Sequence, residues 1–293
     1  MQVYHLKYEL LILLLVSWNC MPSKAKAQER HKPTIGIITG KEQDSLFAKH
    51  GYPFREEGVG NTFSPRRVSE QDFLKNVDRV LGSQCKVLSA NSFFHGYIKL
   101  VGPDRNEALA LGYADTVFRR CHEAGLKIVV LGSGDARRIP DGYDHALARD
   151  EFISLVKKMA VLAGKHRITI AMENLNRGET NLGNSLEEVV GMVKEVGSRH
   201  FRATADIYHM LREHESASSI DRAGKLLVHC HIAENKDRAR PGKNGEDFRT
   251  YFQAMKRVHY RGLIMMECGW TNMADEATPA LVYLQGQLDE VYQ

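Results

Sequence analysis

From residue 34 to the end of the chain, short β-rich apolar runs alternate with amphipathic helical patterns. The runs are TIGIIT (34–39), FREEGV (54–59), KVLSANSF (86–93), KIVVLGSG (127–134), ITIAMEN (168–174), FRATADIY (201–208), LLVHCHIAE (226–234) and LIMMECG (263–269). All but the weaker FREEGV are mostly continuous apolar runs, which is typical of a parallel sheet buried on both faces. Eight strand–helix units in about 260 residues predict a single closed (β/α)₈ barrel, a TIM barrel of the α/β class.

The helical segments carry start signals. Ser69 precedes EQDFLKNVDRVL, and Ser185 precedes LEEVVGMVKEV, in which Glu188 completes a capping box. A doubly wound open sheet is the competing arrangement, but ITGKEQDS after the first strand lacks the G-x-G-x-x-G pattern. No linker or repeat interrupts the alternation, so residues 28–293 are predicted to form one domain.

The N-terminal segment has a different pattern. Its apolar run, Leu10–Val16, is too short to span a bilayer as a helix, and Ala25-Lys26-Ala27 is a small-x-small motif. These features predict a signal peptide over residues 1–27, cleavage before Gln28 and export to a periplasm, without stable membrane insertion after cleavage. A lipoprotein anchored through Cys20 and an uncleaved anchor are the alternatives.

Composition adds one exclusion. The chain is 43% hydrophobic and 26% charged, as in ordinary globular proteins, and has a formal charge of +4. Residues 1–27 hold three lysines and one glutamate, so the remainder carries +2. This balance offers no electrostatic reason to expect a nucleic acid partner.

The remaining cysteines are Cys85, Cys121, Cys230 and Cys268. They form no C-x-x-C pair, which excludes a zinc knuckle or a thioredoxin-type motif. Cys230 and Cys268 each adjoin a candidate ligand on a strand, so their sulfurs should point to the opposite face, as small core residues. Disulfide bonding stays open.

Four successive strands, the fifth to the eighth, end in a metal-type ligand. These are Glu173 in IAMEN, Asp206 in TADIY, His231 in VHCHIAE and Glu267 in IMMECG. One such acid, for example Asp206, more often caps the next helix. Four in succession predict a shared site, because the C-terminal ends of barrel strands converge. Three carboxylates and one imidazole favour Mn²⁺, with Co²⁺ or Mg²⁺ as alternatives, over a closed structural zinc site.

Two neighbouring features have open interpretations. His229 lies two residues before His231 and faces the same side, either supporting the metal site from below or packing as a hydrogen-bonded interior histidine. In GSGDARRIP (132–140), the glycines permit close backbone approach, and Arg137 with Arg138 suggest an anion site. A tight turn with surface arginines is the interpretation we favour there.

The motifs MENLNRGETN, ADIYHM, HIAENKDRARPGKNG and MMEC resemble those of the xylose-isomerase-like TIM barrels of the sugar phosphate isomerase/epimerase type. The similarity is closest to ketose 3-epimerases and 3-keto-glycoside epimerases, and strongest from about residue 127 to 270. The resemblance implies a sugar substrate, and a divalent metal held by the four strand-end residues, with Glu173 and Glu267 also the acid/base pair. It further implies substrate contacts from Glu179, His209 and Arg238.

Two departures from the ketose epimerases concern the substrate. The stretch His231–Pro241 is one residue longer, so Arg238 is matched by its distance to Pro241-Gly242. NSFFHG and GSGDARRIP, after the third and fourth strands, also differ. Together with predicted export, this divergence favours a neutral keto-sugar or keto-glycoside over a cytoplasmic sugar phosphate.

The expected reaction removes a proton next to a carbonyl, with the metal stabilising the enediolate. Glu173 and Glu267 would take and return the proton on opposite faces of the carbon. His209 would donate to a sugar oxygen or cap the following helix; Arg238 would hold hydroxyls or lie in a solvated loop.

Three other functions stay open. A lyase or dehydratase would use the same enediolate. An endonuclease IV-like metal hydrolase would need further ligands, which TIGIIT and VVLGSG do not supply, and a non-catalytic sugar-binding protein would need no paired glutamates. Assembly into a homo-oligomer is also left open.

Overall fold

Eight parallel strands close into a barrel in chain order, with β1 hydrogen-bonded to both β2 and β8. The structure, a computed structural model, describes residues 32–293. The strands are β1 (Thr34–Ile38), β2 (Phe54–Gly58), β3 (Lys86–Asn91), β4 (Ile128–Leu131), β5 (Thr169–Glu173), β6 (Phe201–Asp206), β7 (Leu227–Ile232) and β8 (Leu263–Met266). Each predicted run contains one of these strands, and the predicted (β/α)₈ barrel is confirmed. The predicted signal peptide, residues 1–27, and Cys20 lie outside the described residues.

Helices connect successive strands. They are α1 (Asp44–Lys49), α2 (Val59–Thr62), α3 (Glu70–Leu81), α4 (Glu107–Glu123), α5 (Gly134–Arg137), α6 (His145–Lys165), α7 (Leu186–Val196), α8 (Ile207–Arg212), α9 (Ser218–Ala223), α10 (Arg249–Arg257) and α11 (Met273–Tyr292). Short 3₁₀ turns lie at Lys41–Gln43, Gly224–Leu226 and Lys236–Arg238. Within residues 32–293, no helix combines the length and apolar character needed to cross a membrane.

The predicted helix starts at Ser69 and Ser185 are confirmed, since each hydroxyl accepts a backbone N–H from the first turn of its helix. The second half of the capping box differs from expectation. The Glu188 carboxylate accepts the N–H groups of Gly183 (2.9 Å) and Asn184 (2.8 Å), which precede the N-cap. It thereby holds the β5–α7 loop as well as the helix start.

Alternation along the strands separates two environments. Ile170, Met172, Ile264 and Met266 point outward into the main apolar core between strands and helices. The alternating positions point into the barrel, and polar side chains collect there toward the C-terminal end. Strand alternation therefore directs the candidate ligands inward, while the apolar residues next to them pack against the helices.

The described cysteines are all free. Cys85, Cys121 and Cys230 are buried, and Cys268 is partly exposed. Cys230 lies in the outer apolar core, on the face opposite to its neighbour His231, as its position in the strand predicts.

Candidate active site

Four side chains meet at the C-terminal mouth of the barrel: Glu173, Asp206, His231 and Glu267. One potential ligand atom from each lies within 4.8 Å of the others. Strand pairing contributes directly, because Asp206 on β6 lies opposite His231 on β7. Glu267 follows β8 immediately and is the only partly exposed member; the other three are buried. The structure thus brings the four together, and their role as metal ligands stays a prediction.

His231 is the centre of this cluster. Its Nδ1 lies 2.5 Å from Glu173 Oε1, 3.2 Å from Glu267 Oε2 and 4.0 Å from Asp206 Oδ2. Its Nε2 lies 3.0 Å from Glu56 Oε1. Burial alone would lower the pKa of His231, but the charges of Glu173 and Glu56 raise that pKa well above its ordinary value. The carboxylates therefore favour a positive charge at their centre.

The two carboxylate oxygens of Asp206 have different surroundings. Oδ1 accepts the N–H of His209 at 3.1 Å and caps α8. Oδ2 is buried and has no hydrogen-bond partner. Burial, together with the nearby charges of Glu173 and Glu267, raises the pKa of Asp206 well above its ordinary value. The two interpretations left open for this residue are therefore compatible, since one oxygen caps the helix while the other faces the cluster.

These donors fit a divalent cation. Three carboxylates in one partly buried bowl repel each other unless a positive charge lies between them. The unpartnered Oδ2 of Asp206 would gain a ligand bond in place of a missing hydrogen bond. Oxygen donors with one imidazole nitrogen suit Mn²⁺, Co²⁺ or Mg²⁺.

Arg238 lies beside the cluster. Its guanidinium donates to Glu267 Oε2 at 2.7 Å and to Glu179 Oε1 at 3.3 Å, and its Cζ lies 4.7 Å from the centre of the Tyr208 ring. Arg238 and its neighbour Asp237 both have positive φ, at 47° and 62°. A non-glycine backbone persists in this region only when the surroundings hold it there. Arg238 is thus a fixed cation at the mouth of the barrel rather than a freely solvated loop residue.

A second acid, Glu234, holds the loop that carries Arg238. Its buried carboxylate accepts four backbone N–H groups at 2.6–3.3 Å, from Gly242, Asn244, Gly245 and Glu246. Its own N–H donates to Ala239 O at 2.9 Å. Glu234 is not among the residues predicted from the sequence, where the available signal is an acid just before a glycine-rich loop.

His209 presents a free N–H to the cluster. Its Nδ1 accepts the backbone N–H of Asn176 at 3.1 Å, and burial lowers its pKa to about 3. The ring is therefore neutral and carries its hydrogen on Nε2. That nitrogen is buried without a hydrogen-bond partner, 3.7 Å from Asp206 Oδ2 and 3.9 Å from Glu179 Oε2. Because Asp206 caps α8, the capping interpretation of His209 is wrong.

The β4–α5 loop supports Glu173 from behind. The tight turn is present, but the expectation of surface arginines is wrong for Arg137, which is fully buried and donates to the Glu173 carbonyl oxygen at 2.8 Å. Arg138 donates to Gly178 O at 3.1 Å. A β-carbon at Gly132 would overlap Glu173 Oε2, so a larger residue there would displace this carboxylate from its present position.

Below the cluster, Glu56 connects two histidines. Its Oε2 lies 2.7 Å from His229 Nε2 and its Oε1 lies 3.0 Å from His231 Nε2, with all three residues fully buried. Burial would raise the pKa of Glu56, but the two imidazoles hold it well below its ordinary value. His229 is therefore a hydrogen-bonded interior histidine that also supports the cluster. Glu56 is not among the residues predicted from the sequence, although alternation in FREEG places it on the opposite face from Arg55 and Glu57.

The closed barrel of eight parallel strands is a TIM barrel, and in this chain carboxylates converge at its C-terminal mouth. Residues 46–286 match the family described as the xylose isomerase-like TIM barrel, and the chain belongs to that family.

Sequence relatives narrow the comparison. The D-psicose 3-epimerase of Enterocloster bolteae is 33% identical over 113 residues, covering 38% of this chain and 37% of the relative. The 3-dehydro-D-guloside 4-epimerase of Escherichia coli (strain K12) is 29% identical over 107 residues, covering 36% and 40%. The chain therefore spans about two fifths of the length of these relatives. They confirm the resemblance to ketose 3-epimerases and 3-keto-glycoside epimerases.

Solved structures show the same fold over most of the chain. A D-psicose 3-epimerase crystallised with D-fructose has a TM-score of 0.75 at 20% identity, covering 87% of this chain and 99% of its own. The 3-keto-D-glucoside 4-epimerase of E. coli has a TM-score of 0.73 at 20% identity, covering 87% and 100%.

Proposed function

We propose that this protein is a divalent-metal-dependent epimerase or isomerase of a keto-sugar or 3-keto-glycoside. The observation that carries the proposal is the convergence of two glutamates, from β5 and β8, on one cluster that also holds Asp206 and His231. Sequence relatives that are keto-sugar and 3-dehydro-glycoside epimerases support it. Export of the protein, predicted from residues 1–27, is part of the same proposal.

Glu173, Asp206, His231 and Glu267 would hold the metal, with Mn²⁺ favoured and Co²⁺ or Mg²⁺ as alternatives. Bound there, the ion would supply Lewis-acid stabilisation of the negative charge that develops on the substrate oxygens.

The two glutamates would exchange the proton. Burial acts to raise the pKa of Glu173, but His231 outweighs it and lowers that pKa to about 2, so Glu173 is an ionised base at neutral pH. One carboxylate removes the proton from the carbon next to the carbonyl, and the C–H electron pair enters the enediolate. The other glutamate returns a proton from the opposite face and inverts the carbon, and proton exchange with water restores both groups.

Three residues around the cluster would orient the sugar. The Nε2–H of His209 and the guanidinium of Arg238 are donors for substrate oxygens, and the partly exposed carboxylate of Glu179 accepts a hydroxyl hydrogen. Since His209 is neutral and held by Asn176, it can donate without changing its protonation state.

Proton–deuterium exchange in D₂O, followed by NMR, tests this function directly. The purified protein with Mn²⁺ is offered a panel of ketoses and 3-keto-glycosides, with chelator-treated protein and the Glu173→Gln variant as controls. Deuterium incorporation next to the carbonyl with formation of the epimer, lost on chelation and restored by Mn²⁺, is expected. An elimination product would assign a lyase or dehydratase instead, and absence of exchange with every sugar would contradict the proposal.

A further inference from the structure

Resting on the metal site proposed above, we infer that Glu56 is a positioning residue: with His229, it fixes the tautomer and orientation of His231 so that Nδ1 faces the ion. Nδ1 of His231 faces the cluster at the mouth, and Nε2 faces Glu56 one layer deeper in the barrel.

The chemistry of the hydrogen bond decides the tautomer. A carboxylate accepts hydrogen bonds and donates none, so the nitrogen opposite Glu56 carries the hydrogen. An ion bound at the mouth would replace the hydrogen that the carboxylates favour on Nδ1, so the imidazole would be neutral, with its single N–H on Nε2 and its lone pair on Nδ1. Glu56 therefore selects the tautomer in which the mouth-facing nitrogen can bind a metal.

His229 fixes Glu56 in turn. The two Glu56 oxygens are divided, with Oε2 bound to His229 at 2.7 Å and Oε1 to His231 at 3.0 Å. With all three side chains fully buried, rotation of the carboxylate would leave a buried donor unpaired. Glu56 and His229 together thus fix both the orientation of the His231 ring and the nitrogen that carries its hydrogen.

A second metal ion among Glu56, His229 and His231 is the competing interpretation, because ligand atoms of these residues also lie within 4.8 Å of one another. The two short contacts have ordinary hydrogen-bond lengths, which favours hydrogen bonds. The two interpretations differ in stoichiometry: one ion per chain, or two.

Mn²⁺ titration followed by electron paramagnetic resonance measures both stoichiometry and affinity. We expect one Mn²⁺ per wild-type chain and a roughly 10- to 100-fold weaker affinity in Glu56→Leu, the usual range for outer partners of ligating histidines. Glu56→Gln keeps an oxygen opposite Nε2 and should recover most of the loss. Glu57→Gln, on the same strand but facing outward, is the matched control: it breaks the buried ion pair with Arg55, yet the folded variant should bind Mn²⁺ like the wild type.

¹⁵N NMR of the histidines in the Mg²⁺-loaded wild type provides a second readout that does not depend on a variant folding. His231 should be protonated at Nε2 and unprotonated at Nδ1. Wild-type affinity in Glu56→Leu, two ions per chain, or a hydrogen on Nδ1 in the loaded protein would each overturn the inference. None of these measurements uses a sugar. Mn²⁺ binding by wild type and Glu56→Leu alike would refute the role of Glu56 alone, whereas no binding by the wild type would remove the proposed metal-dependent function as well.

Discussion

The two halves of the barrel treat buried charge differently. In the β1–β4 half, the buried guanidinium of Arg55 is matched by Glu57 at 2.5 Å and by Asp44 at 3.3 Å. In the β5–β8 half, Asp206 and two glutamates crowd around one imidazole, and a buried Asp206 oxygen is left without a hydrogen-bond partner.

The difference teaches where to look for function in such a fold. A buried charge that has an opposite partner is compensated and needs no functional explanation. Carboxylates that repel each other at one point destabilise the fold, so their presence together points to a function. Glu56 is the exception that connects the halves, since it reaches from β2 to the centre of the other half.

Neutralising the glutamates of the β5–β8 half should have the largest effect. Glu173→Gln and Glu267→Gln each remove a carboxylate proposed to exchange the proton, so kcat should fall on the order of 10² to 10⁴. Steady-state kinetics on the substrate found by deuterium exchange measures it, with Glu57→Gln as the control from the other half. Full activity in both variants would refute the two-base assignment.

Breaking the matched charges of the β1–β4 half should affect stability instead. Arg55→Met leaves the buried Glu57 carboxylate uncompensated, so the free energy of unfolding should fall by roughly 3 kcal/mol. Urea denaturation measures the loss, and activity per folded molecule at low temperature should be unchanged. A variant that is as stable as the wild type but inactive would contradict the assignment of these charges to stability.

The two roles of Asp206 can be separated. Asp206→Asn keeps an oxygen that can cap α8 but loses the negative charge, so Mn²⁺ affinity should fall roughly tenfold or more while the melting temperature hardly changes. Asp206→Ala should lose the cap as well, at about 1 kcal/mol. Parallel Mn²⁺ titration and thermal unfolding distinguish the variants, and equal Mn²⁺ affinity in Asp206→Asn and wild type would exclude this residue as a ligand.

Helix caps should give the smallest effect and the same one in both halves. Ser69→Ala and Ser185→Ala each remove one hydroxyl acceptor, so each should cost about 1 kcal/mol of unfolding free energy. Neither serine touches the cluster, and Mn²⁺ affinity should stay at the wild-type level. A marked loss of affinity in Ser185→Ala alone would show that the β5–α7 loop transmits strain to Glu173.

Features that depend on position along one strand could be predicted from the sequence. A residue that ends a parallel strand reaches the mouth of the barrel whatever the rest of the chain does, so Glu173, Asp206, His231 and Glu267 were identifiable. Ser69 was equally local, because a cap depends only on the next three residues.

Features that depend on what a side chain meets across the barrel could not be predicted. Arg137 follows a tight turn, and nothing local indicates that its guanidinium is buried against the Glu173 carbonyl. The tautomer of His209 is set by Asn176, 33 positions away, and Glu56 meets its histidine 173 positions away. Each of these pairings forms only when segments that are far apart in the chain come together in the folded barrel.

Among the described residues, the carboxylate of Glu234 accepts hydrogen bonds only from main-chain N–H groups of the loop at Gly242–Glu246. The path of that loop therefore depends little on which side chains it carries, apart from the glycines that need positive φ. Mutations could accumulate along this rim and alter which of the proposed sugar substrates fit, while the arginine beside it keeps its place. In a lineage that meets new carbohydrates, such a segment is where preference could change without refolding the barrel.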